Sequence, residues 1–284
     1  MPAKVTLIPQ TDFVKVVNNT ITVIPGSSDN FKVTREWVNR NNTILVDGKV
    51  EKTSIIDSSA NTKKINLLYP EKYFLTLFKE HLEQEEIKIE KPLGIKILEA
   101  NSIYLAAINR SIDTVLAEVN KTSDNLDAEM LLYAFADSGA PAIADDGIAA
   151  VKRFIDTLGF NSDDYYLADG SGVSHYNLVS ADLLSEFLKN IYYERKDLFD
   201  LFYNSLAVAG VDGTLKNRMR GTLAEGNVHA KTGTIKGVSN LSGYVTARNG
   251  HLMVFSIIIQ NFVNEYSTAR KFQDMICELL AEYE

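Results

Sequence analysis

Two apolar runs, residues 241–248 and 252–260, flank Asn249-Gly250. No short signal constrains a fold more tightly, because Asn-Gly accepts the positive φ angles of a two-residue hairpin turn. The two runs must therefore lie antiparallel. Residues 228–234 read as a further strand, and Phe272, Met275, Ile276, Leu279 and Leu280 then recur at helical spacing. Three antiparallel strands closed by a terminal helix make an α+β layer.

Upstream of this sheet the periodicity is helical. Ile112, Val115, Leu116 and Val119 share one face of a helix that stops near Asn120-Lys121, and a second helix follows Asn125. A third carries Ile148, Val151, Ile155 and Leu158 and ends at Gly159, and a fourth begins after Ser180, a good N-cap. Residues 1–107 differ, with short β-type runs at residues 5–8, 20–24 and 43–46 separated by turns at residues 25–28 and at Asp47-Gly48. One helix interrupts them, started by Pro70 and carrying Tyr73, Phe74, Leu77, Phe78 and Leu82 on one face. The pattern thus divides the chain into a β-rich region, 1–107, and a mixed region, 108–284.

Composition narrows the partners. With 29 Lys+Arg against 37 Asp+Glu the net charge is −8, which argues against nucleic acid and anionic membrane, since phosphate binding relies on Lys and Arg. The most apolar stretch, residues 252–259, falls far short of the ~20 residues of a membrane-spanning helix. One cysteine, Cys277, excludes an internal disulfide framework. The first residues, Met1-Pro2-Ala3-Lys4-Val5, lack the apolar core of a signal peptide, so the protein is either cytoplasmic or without its leader.

Several kinds of chemistry can be set aside. His81, His175, His229 and His251 show no ligand spacing, so no metal or other cofactor is expected. Gly170-Ser171-Gly172-Val173-Ser174 is not a nucleophile elbow, because neither serine has glycine two residues away on both sides. It reads as a structural turn. Two tripeptides remain: Ser123-Asp124-Asn125 opens a helix, and Lys231-Thr232-Gly233 lies on the first strand of the terminal sheet. Taken singly, Ser123 reads as an N-cap and Lys231 as a solvated strand residue.

Their order and setting together carry more. Active-site serine β-lactamases and penicillin-binding proteins combine a Ser-x-x-Lys nucleophile, a Ser-x-Asn and a Lys-Thr-Gly. The chain resembles that superfamily, and more closely the class C low-molecular-mass penicillin-binding proteins, the D-alanyl-D-alanine carboxypeptidase/endopeptidases. The likeness runs through Lys121-Thr-Ser-Asp-Asn-Leu-Asp-Ala-Glu-Met-Leu-Leu132, Asp169-Gly-Ser-Gly-Val-Ser174 with Asn177-Leu178, and Val208-Ala-Gly-Val-Asp-Gly-Thr-Leu215. It continues through Lys231-Thr-Gly-Thr234, Gly237-Val238-Ser239 and Leu241-Ser-Gly-Tyr-Val245. Residues 108–284 are covered almost throughout as the C-terminal part of the catalytic domain, and residues 1–107 resemble part of the accessory region the family inserts.

The resemblance implies a partial transpeptidase fold and a serine-type D-Ala-D-Ala carboxypeptidase, with endopeptidase activity also within the family's range. Its substrates would be peptidoglycan stem peptides, processed through an acyl-enzyme, and β-lactams would bind in their place. The periplasm or cell envelope is then the expected location. Lys231 and the Thr232 hydroxyl would clamp the substrate carboxylate, and Gly233 would keep the strand's surface open. The Thr234 backbone N–H would be one oxyanion donor, Ser123 would pass a proton to the leaving amine, and Asn125 would hold the substrate amide.

The nucleophile is missing from the pattern. No serine of the chain has lysine three residues on, and in the family the Ser-x-x-Lys lies upstream of the inserted region. The expectation is therefore a C-terminal portion of a longer enzyme, inactive alone, with two sheet strands also absent beyond residues 252–260. That edge should then be covered by a neighbouring molecule, as in a homo-oligomer, by residues 1–25, or by a separate upstream fragment. The alternatives are a non-catalytic cell-wall peptide or protein binder and a β-lactamase-like hydrolase.

Overall fold

The computed structural model describes residues 1–27, 30–52, 62–95, 103, 107–136, 142–263 and 265–284. Ser28, in the turn expected at residues 25–28, lies outside them. The chain forms two compact units, Met1–Leu105 and Ala106–Glu284.

In the first unit, β1 (Lys15–Val23) runs parallel to β3 (Thr43–Glu51), and β2 (Lys32–Arg35) pairs antiparallel with β3 from the other side. Val14, Ile44 and Val46 are buried beneath Phe13, Val16, Val33 and Leu67. Helix α1 (Pro70–Gln84) starts at the expected proline, and Glu80 on it accepts the Thr11 hydroxyl at 3.0 Å. Two expectations fail. Residues 5–8 form no strand, and Asp47-Gly48 lies inside β3 rather than in a turn. Gly48 holds φ at 110° because a Cβ there would stand 2.6 Å from the Asn30 carbonyl oxygen, so the glycine serves close approach within a continuous ladder. Residues 15–23, part of the segment 1–25 expected as possible cover for the edge at residues 252–260, are paired along β3.

The second unit begins with α2 (Ile112–Ala117), which passes into a single π-helical turn, Glu118–Thr122. Helices α3 (Asn125–Ala134), α4 (Ala144–Thr157), α5 (Ala181–Glu194) and α6 (Lys196–Ser205) follow. Ser180 caps α5 by accepting the Leu183 N–H at 3.1 Å. The sequence reading missed α6, whose ten residues give few repeats of the helical period.

Strands β4 (Ala207–Val208), β5 (His229–Ile235), β6 (Val238–Thr246) and β7 (Leu252–Gln260) form one antiparallel sheet in that order, and α7 (Tyr266–Glu282) closes the unit. Because strand side chains alternate, Leu241 and Val245 of β6 join Phe255, Cys277 and Ala281 in one core. Tyr244 faces the other way, against Leu188 and Leu206, and donates its buried hydroxyl to the Leu188 carbonyl at 2.7 Å. The sheet is thus sandwiched between α7 and the helical layer. Among the described residues no strand pairs with the outer edge of β7.

Candidate active site

Ser123, from the helical layer, and Lys231, from the sheet, meet at the rim of the sheet. Lys231 Nζ donates to Ser123 Oγ at 2.9 Å and to its neighbour's carbonyl, Thr232 O, at 2.8 Å. An ammonium has three N–H donors, so one stays available for a carboxylate. Since Ser123 accepts from Lys231, its own proton remains free for another acceptor. Lys231 is partly buried, and loss of water around the ammonium pulls its pKa below the ordinary 10.5.

Local backbone chemistry sets this meeting. Ser123 is not the cap of α3: Asp124 is, its carboxylate accepting the Asp127 N–H at 3.0 Å. That leaves Ser123 outside the helix, exposed and in the left-handed conformation at φ 61° and ψ 49°. The π-helical turn just before it is a distortion that often marks functional sites. Within that turn buried Asn120 donates to Ser205 Oγ at 2.7 Å, and Lys121 pairs with Asp212.

The other expected residues are placed as follows. Asn125 sits exposed at the start of α3, with no side-chain hydrogen bond among the described residues. Thr232 is on the opposite face of β5 from Lys231, opposite Leu241, and donates its hydroxyl to Thr214 Oγ1 at 2.9 Å. Gly233 lies opposite Asn240, whose Cβ a built Cβ would meet at an ordinary 3.5 Å. The sheet itself does not require glycine here. Thr234 is exposed and paired in register with Ser239.

Three neighbours drew no role from the sequence: Lys121, Asp212 and Thr214. His229, two residues before Lys231 on the same face, stacks on Tyr203 with ring centres 3.9 Å apart. Burial holds its pKa below the ordinary 6.5, aided by the Lys121 charge and opposed by the Tyr203 carbonyl and by Asp212.

A helical layer presenting Ser-Asp-Asn to a Lys-Thr-Gly strand at the rim of an antiparallel sheet defines the α+β fold of the penicillin-binding proteins and serine β-lactamases. Penicillin binding protein 4 (dacB) from Haemophilus influenzae, complexed with a β-lactam, shares this fold with a TM-score of 0.71 at 23% identity, over 94% of this chain and 64% of that one. The chain belongs to the D-Ala-D-Ala carboxypeptidase 3 (S13) family, whose profile matches residues 2–283. A D-alanyl-D-alanine carboxypeptidase from an Actinomadura species is 33% identical over 99% of this chain and 52% of its own length. The Penicillin-sensitive carboxypeptidase A of Dictyostelium discoideum is 30% identical over 77% of this chain and 44% of its own. The chain therefore spans about half the length of these curated relatives. The family expected from the likeness across residues 108–284 and the α+β fold both hold.

Proposed function

We propose that this chain belongs to a serine-type D-Ala-D-Ala carboxypeptidase acting on peptidoglycan stem peptides and supplies its substrate clamp. The 2.9 Å contact between Lys231 Nζ and Ser123 Oγ carries the reading, because it joins a cation suited to the terminal carboxylate with a hydroxyl able to pass a proton to the leaving amine. By the family likeness, Thr232 would turn its hydroxyl from Thr214 to the carboxylate beside Lys231, the Thr234 N–H would serve the oxyanion, and Asn125 the scissile amide. Acylation requires a Ser-x-x-Lys, which this sequence does not contain; the serine oxygen would bond to the penultimate D-Ala carbonyl carbon as the C–N bond breaks, the motif lysine would take the serine's proton and pass it to Ser123, and Ser123 would hand its own proton to the departing D-Ala amine. Water then releases the acyl group.

In this reading residues 108–284 belong to the catalytic domain and residues 1–107 to an inserted accessory region, and β-lactams acylate the same serine. The site works in the cell envelope, where its peptide substrate is found. Among the described residues the outer edge of β7 is unpaired, a surface suited to a strand from a second copy.

The test is D-alanine release from an N-acylated peptide ending in D-Ala-D-Ala by the full-length protein, alongside covalent labelling with a radiolabelled penicillin. Release with labelling is expected. Labelling followed by rapid release of hydrolysed penicillin, without D-alanine production, would identify a β-lactamase-like hydrolase instead. Neither activity, with the peptide still bound, would identify a binding protein.

A further inference from the structure

The loop between β4 and β5 has no assigned role, yet it touches both arms of the site. Asp212 accepts the Val208 N–H at 2.9 Å, which fastens the loop to β4, and receives Lys121 Nζ on its other oxygen. Two residues on, Thr214 accepts the Thr232 hydroxyl. Between them Gly213 lies against the π-helical turn so closely that a Cβ would stand 2.6 Å from the Lys121 carbonyl oxygen and 2.9 Å from Ala207 Cβ. Three consecutive residues of this loop, 212–214, therefore span from the Ser123 turn to the Lys231 strand.

That span bears on where Ser123 sits. The left-handed backbone at Ser123 costs a residue with a Cβ roughly 1–2 kcal/mol, and such strain persists only where the surroundings enforce it. Asp124 fixes the turn from the α3 side. On the other side the side-chain ties leading out of the turn include Asn120 to Ser205, at the end of α6, and Lys121 to Asp212. The second reaches the residues that also hold Thr232 of the Lys231 strand, through Thr214. Burial disfavours ionisation of Asp212, but the Lys121 hydrogen bond, the Val208 N–H and the Lys121 charge outweigh it and hold the carboxyl below its ordinary range.

We propose that Asp212 is a positioning residue of this site: it holds Lys121, and through Lys121 the strained turn that presents Ser123 Oγ to Lys231 Nζ. Thr214, on the same loop, sets the rotor of the Thr232 hydroxyl. The proposal rests on the reading of Ser123 and Lys231 as the reactive pair. Its role is geometric rather than stabilising, since both members of the Lys121–Asp212 pair keep contact with water and exposed pairs contribute little to folding.

The experiment follows this chain by NMR with lysine labelled at Cε, reading the contact between Ser123 Hβ and Lys231 Hε and the titration of Lys231. Asp212→Ala and Lys121→Met are each expected to keep a cooperative melt, lose the contact, and move the Lys231 titration up toward the ordinary lysine value as water enters. The exposed Asp163→Ala should retain the parent's contact and titration. Retention of both signals in either Asp212→Ala or Lys121→Met overturns the proposal. If Asp212→Ala fails to fold, Lys121→Met decides, because it leaves the Asp212–Val208 bond in place. The readout needs no turnover, so its failure is separate from a failure of the peptidase reading.

Discussion

Lys231 Nζ lies 2.9 Å from Ser123 Oγ although 108 positions separate the two residues in the chain. The approach joins a helix start to a sheet strand, and removal of either group should be felt mainly in the chemistry. In the full-length protein, Lys231→Ala is expected to lower kcat/KM for a D-Ala-D-Ala peptide by roughly thirty- to several-thousand-fold, the ~2–5 kcal/mol of one charged partner in a sheltered site. Asp124→Asn keeps an acceptor for the Asp127 N–H and should change it far less. Steady-state kinetics on both variants check this, and equal losses would mean the clamp lies elsewhere.

Carboxylate binding should also report the state of Lys231. The ammonium form binds, and burial lowers its pKa beneath the ordinary 10.5, so affinity is full well below the lowered value and is lost as pH rises through it. Above that point the Kd for an N-acyl-D-Ala-D-Ala peptide should rise about tenfold per pH unit. A calorimetric titration series in pH would show this, and an affinity constant up to pH 10.5 would contradict it.

Histidine 229 should make the second unit sensitive to acid. Its folded pKa is lowered from 6.5, so the unfolded chain binds more protons below pH 6.5 and stability rises with pH across that window. Moving down in pH, the stabilisation present above 6.5 is lost until the lowered folded value is passed. Thermal melts from pH 7.5 to 5 should fall more steeply for the parent than for His229→Gln; parallel curves would remove His229 as the cause.

Two glycines with positive φ should respond differently to alanine. Gly250 turns the β6–β7 hairpin at φ 85° with open space around it, whereas at Gly213 the new Cβ meets backbone. Gly250→Ala is expected to lose about 1 kcal/mol from the backbone alone, and Gly213→Ala about 2–4 kcal/mol once overpacking is added. Urea unfolding with unchanged slopes would measure both.

Much of this architecture was readable because it is written locally. Pro70 and Ser180 start helices where their chemistry suits, and Asn249-Gly250 turns the hairpin between β6 and β7. Ser123 and Lys231 were visible through the tripeptides that carry them. Lys121 and Asp212 were not, although both stand in stretches with a family likeness, because their bond across 91 positions leaves no periodicity or spacing to find. Asp47-Gly48 misled for the opposite reason: a strong turn signal was overridden by pairing along β1 and β2. The distortion at Glu118–Thr122 likewise has no signature beyond the end of an ordinary amphipathic helix.

The left-handed backbone of Ser123 sets durability against turnover. Glycine would occupy that conformation without strain but carries no hydroxyl to place beside Lys231. A library screened for heat resistance alone should therefore enrich Ser123→Gly, and one screened for D-alanine release should purge it. Lineages bred for toughness and for catalysis would part at this position.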